Sequence, residues 1–132
     1  MMKAGTYYVG DLCYVMHNEW REVCEFICSD THPTDGEFTL KSGVRFACYG
    51  TMYGDGSYEC SYGKDLGVDS GTIGCILVDD IDLTNKNNSV RDGVVIEFKH
   101  DFHTYSEDGT LTFGDYKVWT NGDDFQEEDE DY

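Results

Sequence analysis

Apolar, β-branched and aromatic residues come in short runs separated by polar clusters. The runs are Thr6–Val9, Leu12–Met16, Glu37–Leu40, Arg45–Tyr49, Tyr58–Ser61, Thr72–Val78, Val94–Phe98, Thr110–Phe113 and Lys117–Thr120. Short runs bounded by turn residues read as strands. Between them stand Asp35-Gly36, Asp55-Gly56, Asp92-Gly93, Asp108-Gly109 and Asn121-Gly122. Asp-Gly and Asn-Gly suit type I′ hairpin turns, whose two central residues both need positive φ. Leu83–Arg91 is polar and reads as a surface loop. One stretch has helical spacing instead: Trp20, Val23, Cys24 and Ile27 fall at i, i+3, i+4 and i+7. Asn18 is placed to cap it, Glu19, Arg21, Glu22 and Glu25 take its other face, and Asp30 to Gly36 breaks it. The expected fold is α+β, mainly antiparallel β, with one helix packed on a sheet. A sandwich or distorted barrel is favoured, because an open sheet leaves an apolar face exposed.

Composition adds a charge to this picture. Nine Lys+Arg against 27 Asp+Glu leave a net charge of -18 over 132 residues. That length suits one domain. The expected boundaries are a globular domain over 1–122 and an acidic tail over 123–132. The tail holds seven acids, Asp123, Asp124, Glu127, Glu128, Asp129, Glu130 and Asp131, and no base. Its removal leaves 20 acids and 9 bases, a net -11, so the body is acidic by itself. Such charge argues against unaided binding to nucleic acid or an anionic membrane, because both would repel it. No run reaches the ~18 apolar residues of a membrane helix, and the first residues lack the apolar core of a signal peptide. A cytoplasmic setting is therefore expected, with Cys13, Cys24, Cys28, Cys48, Cys60 and Cys75 as thiols rather than disulfides.

The chemistry-bearing groups are sparse. Cys24, Cys28 and His32 are spaced by four and would need His17 to complete a zinc site, but the pattern matches no standard zinc spacing. His100 and His103 lie three apart, which in a strand places them on opposite faces, so exposed histidines at a hairpin end are expected. Asp55, Ser57 and Glu59 alternate in a Gly-rich turn without the rest of a calcium loop. Asp79, Asp80 and Asp82 follow an apolar strand; a cation site is the alternative, and they are expected to solvate the sheet edge and to count among the acids of a binding surface. No phosphate-binding glycine loop occurs, and the basic residues are scattered singly. No cofactor or metal is expected.

Four stretches carry a resemblance: Gly5 to Val15 (GTYYVGDLCYV), Tyr49 to Tyr58 (YGTMYGDGSY), Gly67 to Val78 (GVDSGTIGCILV) and Phe113 to Thr120 (FGDYKVWT). The chain resembles a set of small bacterial and bacteriophage proteins that share G-x-Y-x-x-G-D-x-C-Y, Y-G-D-G-x-Y and V-D-[SA]-G-x-x-G. The resemblance implies a phage or mobile-element origin, and no chemistry. If the blocks mark one site, its polar residues are Asp11, Tyr14, Tyr53, Asp55, Tyr58 and Asp69. Cys13 and Cys75 are expected in the core.

The expected function is non-enzymatic: an acidic inhibitor that occupies the basic groove of a host nucleic-acid-binding protein, as phage anti-CRISPR and anti-restriction proteins do. Eighteen charges match roughly 31 Å of duplex. The tail and Asp79, Asp80 and Asp82 are the expected binding acids. The alternatives are a small ligand- or metal-binding domain or enzyme with a carboxylate site around Asp11, Asp55 and Asp69, and a virion or assembly component.

Overall fold

The computed structural model describes residues 1–27, 35–61, 63 and 65–121. Its strands are β1 (Gly5–Gly10), β2 (Gly36–Thr39), β3 (Arg45–Gly50), β4 (Gly56–Cys60), β5 (Leu66–Val68), β6 (Thr72–Leu77), β7 (Val94–Phe98), β8 (Thr104–Glu107), β9 (Thr110–Phe113) and β10 (Tyr116–Trp119). One helix, α1 (Trp20–Ile27), joins them. The strands form two antiparallel five-stranded sheets, in the orders β2-β3-β6-β1-β7 and β5-β4-β10-β9-β8. The expected α+β class and sandwich arrangement are observed.

The alternation of side chains explains the layers. Tyr7 and Val9 of β1, Ala47 and Tyr49 of β3, and Ile73 and Cys75 of β6 face the second sheet. There they meet Tyr58, Leu66, Leu111, Phe113 and Val118. The intervening Tyr8, Phe46, Cys48 and Ile76 face the other way and pack under Leu12, Val15, Met16 and Val23. The first sheet is thus covered on both faces, which is why its strands read as nearly continuous apolar runs. Gly74 sits where this covering comes closest: a Cβ there would collide with the Ala47 carbonyl oxygen and come within 2.8 Å of Leu12 Cδ1.

Several local expectations are corrected. Leu12–Met16 is no strand: a 3-10 turn spans Leu12–Tyr14, and Leu12, Val15 and Met16, at i, i+3 and i+4, point together onto the sheet. Asn18 spends its amide oxygen on Asn85 Nδ2 (2.6 Å) and its amide nitrogen on Asp82 Oδ2 (2.8 Å) rather than capping α1. The Val23 amide closes the first turn on the Glu19 carbonyl. Of the Asp-Gly pairs, Asp108-Gly109 makes the expected hairpin, between β8 and β9, with φ of 52° and 85°. Asp55-Gly56 and the His100–His103 segment are not hairpin ends, since each links a strand of one sheet to a strand of the other. Asp92 closes a 3-10 turn, Val90–Asp92, ahead of β7. Cys28, His32 and the tail from 123 onward lie outside the described residues.

Candidate functional site

The three sequence blocks meet at one end of the sandwich, where the chain crosses between sheets. Asp11, just past β1, is fully buried. Its Oδ2 accepts from the amides of Asp69 (2.7 Å) and Ser70 (2.8 Å). Its Oδ1 accepts from the Cys13 amide (2.9 Å) and the Ser70 hydroxyl (2.7 Å). Four donors satisfy this carboxylate, as a buried charge requires. The Asp69 side chain completes a reciprocal clamp: its Oδ2 accepts from the Tyr14 hydroxyl at 2.7 Å. That bond, with burial second, holds the Tyr14 phenol far above its ordinary ionisation range.

The YGDGSY block leans on the same junction. The Thr51 amide donates to the Gly71 carbonyl (3.0 Å), and the Tyr58 hydroxyl donates to the Gly54 carbonyl (2.8 Å). Gly54 turns the loop with φ of 77°. Tyr53 stands out from it, 64% exposed, beside Met52 at 48%. Asp55 is exposed, and its Oδ1 lies 3.8 Å from the place of a Gly71 Cβ. Asp11, Tyr14, Asp55, Tyr58 and Asp69 therefore share one region, with Tyr53 projecting from it. Cys13 lies there too, half-buried. Its thiol is pushed well above its usual range by burial first and then by the Asp11 carboxylate, the opposite of an activated nucleophile.

Register places more acids at this end. Gly10 pairs with Gly74, Gly50 with Thr72, Gly36 with Cys48 and Val9 with Val94. The end of β1, the end of β3 and the starts of β2, β6 and β7 thus lie together. Asp11, Asp35, Asp55, Asp69 and Asp92 flank these strand ends, with Arg91 as the accompanying base. Asp35 is exposed, and its Oδ1 accepts from the Gly50 amide at 3.0 Å. The opposite end holds Lys3, Lys41, Arg45, Lys99 and the N-terminal ammonium. All three ion pairs among the described residues form there: the N-terminal amine with Glu37 (2.7 Å), Arg45 with Glu37 (2.9 Å) and Lys3 with Asp101 (3.6 Å).

Asp79, Asp80 and Asp82 follow β6 at that opposite end and do not join the Asp11 region. Burial, then Asp79, raises the Asp80 carboxyl. Hydrogen bonds from Thr84 and Asn18 lower that of Asp82. Glu19 of the neighbouring turn is raised by burial and by Asp82, Glu22 and Asp80. Asp35 and Asp92 were not singled out by sequence reasoning. Their signal was the Asp-Gly pairing itself, which marks strand ends, and which ends lie together depends on sheet order. Among the described residues no three His, Cys, Asp or Glu side chains gather as a metal ion would need. No helix among them is long and apolar enough to cross a membrane.

Comparison with protein-family models, with characterised proteins and with solved structures finds no match to the chain.

Proposed function

We propose that the protein is a non-enzymatic binding protein that presents its acidic strand ends to the basic, nucleic-acid-binding groove of another protein. The observation that supports this most is the gathering of acids, with a single base, at one end of the first sheet. Asp35, Asp55, Asp69 and Asp92 gather at one end without an ion pair among the described residues. The ion pairs and most of that sheet's bases lie at the other, where Asp79, Asp80, Asp82 and Asp101 offset them. Carboxylates in this arrangement stand in for phosphates, which arginines grip in the same two-pronged way. Met52 and Tyr53, exposed beside Asp55, supply the flat apolar contact that interfaces favour. Attraction at a distance speeds association and fades in salt. An origin in phage or mobile elements, acting inside a bacterial host against its defence, fits this role and belongs to the same proposal.

The test is capture of partners from a bacterial lysate, with low-salt and then high-salt washes and duplex DNA as competitor. A nucleic-acid-binding protein released by salt and displaced by DNA is the expected result. The Asp55→Asn change alone is expected to alter binding little, and the combined Asn variant at 35, 55, 69 and 92 to abolish it. A complex indifferent to salt, to DNA or to the combined variant would overturn the reading.

The meeting of the three blocks supports a second reading, a small ligand site among Asp11, Asp55 and Asp69. The four hydrogen bonds already made to Asp11 weigh against it. Loss of binding from Asp55→Asn alone would favour this second reading.

A further inference from the structure

A second feature lies away from the acidic end. A cleft of about 600 Å³ opens between β7 with the segment after it and the β9–β10 turn at Gly114 and Asp115. That volume falls within the range of small-molecule sites. Its wall is aromatic. The Phe98 and Phe102 rings stack at 3.9 Å with 14° between their planes, and Tyr7 meets both edge-on. Phe102 is buried, while Phe98 is only half-buried and lines the cleft with the exposed Tyr105. Gly114, at φ 64°, brings the turn against this stack: a Cβ there would lie 3.1 Å from Phe98 Cε1.

The polar lining is unusual for so acidic a chain. Lys99, His100 and His103 line the cleft and are all exposed. Three acids also border it. Asp101 is engaged, its carboxylate accepting from the Ala4 amide at 2.8 Å and facing Lys3. Glu97 alternates with Ile96 and Phe98 along β7, so its side chain leaves from the opposite face. Asp115 remains, against three cationic or donor side chains. The cleft also lies at the end of the first sheet away from Asp35, Asp55, Asp69 and Asp92.

We propose that this cleft binds a small planar aromatic anion. Its ring extends the Phe98–Phe102 stack, and its anionic group is held by Lys99, His100 and His103. Offset stacking favours a flat ring, and charge-assisted hydrogen bonds favour an anion over a neutral ring. Mononucleotides and aromatic carboxylates share this chemistry.

The test is an amide-resolved NMR titration with four probes: AMP, salicylate, adenosine and inorganic phosphate. AMP or salicylate is expected to shift amides within 96–105 and 114–116. Adenosine and phosphate, each lacking one half of the ligand, are expected to bind about tenfold more weakly. Whichever of AMP and salicylate binds more tightly names the source. The triple variant Lys99→Ala, His100→Ala, His103→Ala, all at exposed positions, is expected to weaken the anion about tenfold without moving the urea midpoint. Tyr105→Ala, also exposed, is expected to weaken ring and anion probes alike. The proposal is overturned if neither anion shifts the cleft amides, if adenosine matches AMP, or if both variants bind as the wild type does.

Discussion

Asp11 and Ser70, 59 residues apart in the chain, are joined twice: the Ser70 amide donates to Asp11 Oδ2 and its hydroxyl to Oδ1. The pair ties the exit of β1 to the entry of β6. Asp11→Ala leaves the part-buried amides of Cys13, Asp69 and Ser70 without their acceptor. The expected loss is about 2 kcal/mol, because an unsatisfied buried donor costs on the order of 1–3 kcal/mol and water reaches these part-buried amides. Ser70→Ala removes one of the four donors and should cost about 1 kcal/mol. Urea unfolding of both variants and of the double variant checks this, and strong non-additivity is expected between partners in contact.

Gly74→Ala should be among the most damaging single substitutions. The added methyl meets the Ala47 carbonyl between two paired strands, where neither backbone can yield cheaply. Loss of folded protein, or destabilisation beyond about 3 kcal/mol, is the expected outcome of overpacking at such a site. Gly43, at φ 97° with nothing within 4 Å of an added Cβ, serves as control. Gly43→Ala should cost only the strain of its backbone, about 1 kcal/mol. Thermal unfolding of the two variants side by side separates collision from strain.

Alkaline pH should destabilise the fold. Burial pushes the Cys48 thiol and the Tyr7 phenol up to about 12. It pushes Cys75 and Tyr8 higher still. A folded pKa above the unfolded one means stability is complete below the unfolded value and drains away as pH rises through the folded one. Unfolded thiols ionise from about 9 and phenols from about 10. Urea midpoints should therefore be flat up to about pH 8 and fall steadily toward pH 11, with each group adding up to about 1.4 kcal/mol per pH unit. A midpoint unchanged between pH 8 and 11 would contradict the burial of these groups. The same protonated state predicts slow alkylation of Cys13, Cys48 and Cys75 by iodoacetamide in the native protein and fast alkylation in urea, read by mass spectrometry.

Eight of the nine apolar runs are strands, because each pairs alternation with β-branched or aromatic residues. Leu12–Met16 failed because its apolar residues follow helical spacing while its composition looks strand-like; packing on the sheet decided in favour of a turn. β5 escaped notice as a three-residue strand with Gly67 at its centre. β8 escaped because it is an edge strand whose Tyr105, Ser106 and Glu107 are all exposed, so no apolar alternation marks it. The residues of the candidate site were legible in the repeated Gly-Asp pattern. Their assembly was not, since Asp11 and Asp69 meet only once β1 and β6 pair. The gathering of Asp35, Asp55, Asp69 and Asp92 at one end depends on strand order, which local sequence does not encode.

Neutralising the acidic end should stabilise the molecule while weakening its binding. Asp55 and Asp69 are exposed among like charges, and Asp55→Asn relieves that repulsion. A gain of a few tenths of a kcal/mol is expected, shrinking as salt screens over about 10 Å at 0.1 M. Melting temperatures of wild type and Asp55→Asn at low and at high NaCl measure both effects. Asp69→Asn should instead be neutral or harmful, since it weakens the hydrogen bond from Tyr14.

The division of charge along the first sheet has one further consequence. Acids outnumber the one base at the Asp11 end, while acids and bases are mixed and paired at the other, so the negative charge is uneven along the strand axis and the molecule carries an electric dipole besides its net charge. In the field of a positively charged surface such a body turns before it touches. Encounters then begin with the Asp11 end leading, and the search over orientations is shortened ahead of any contact.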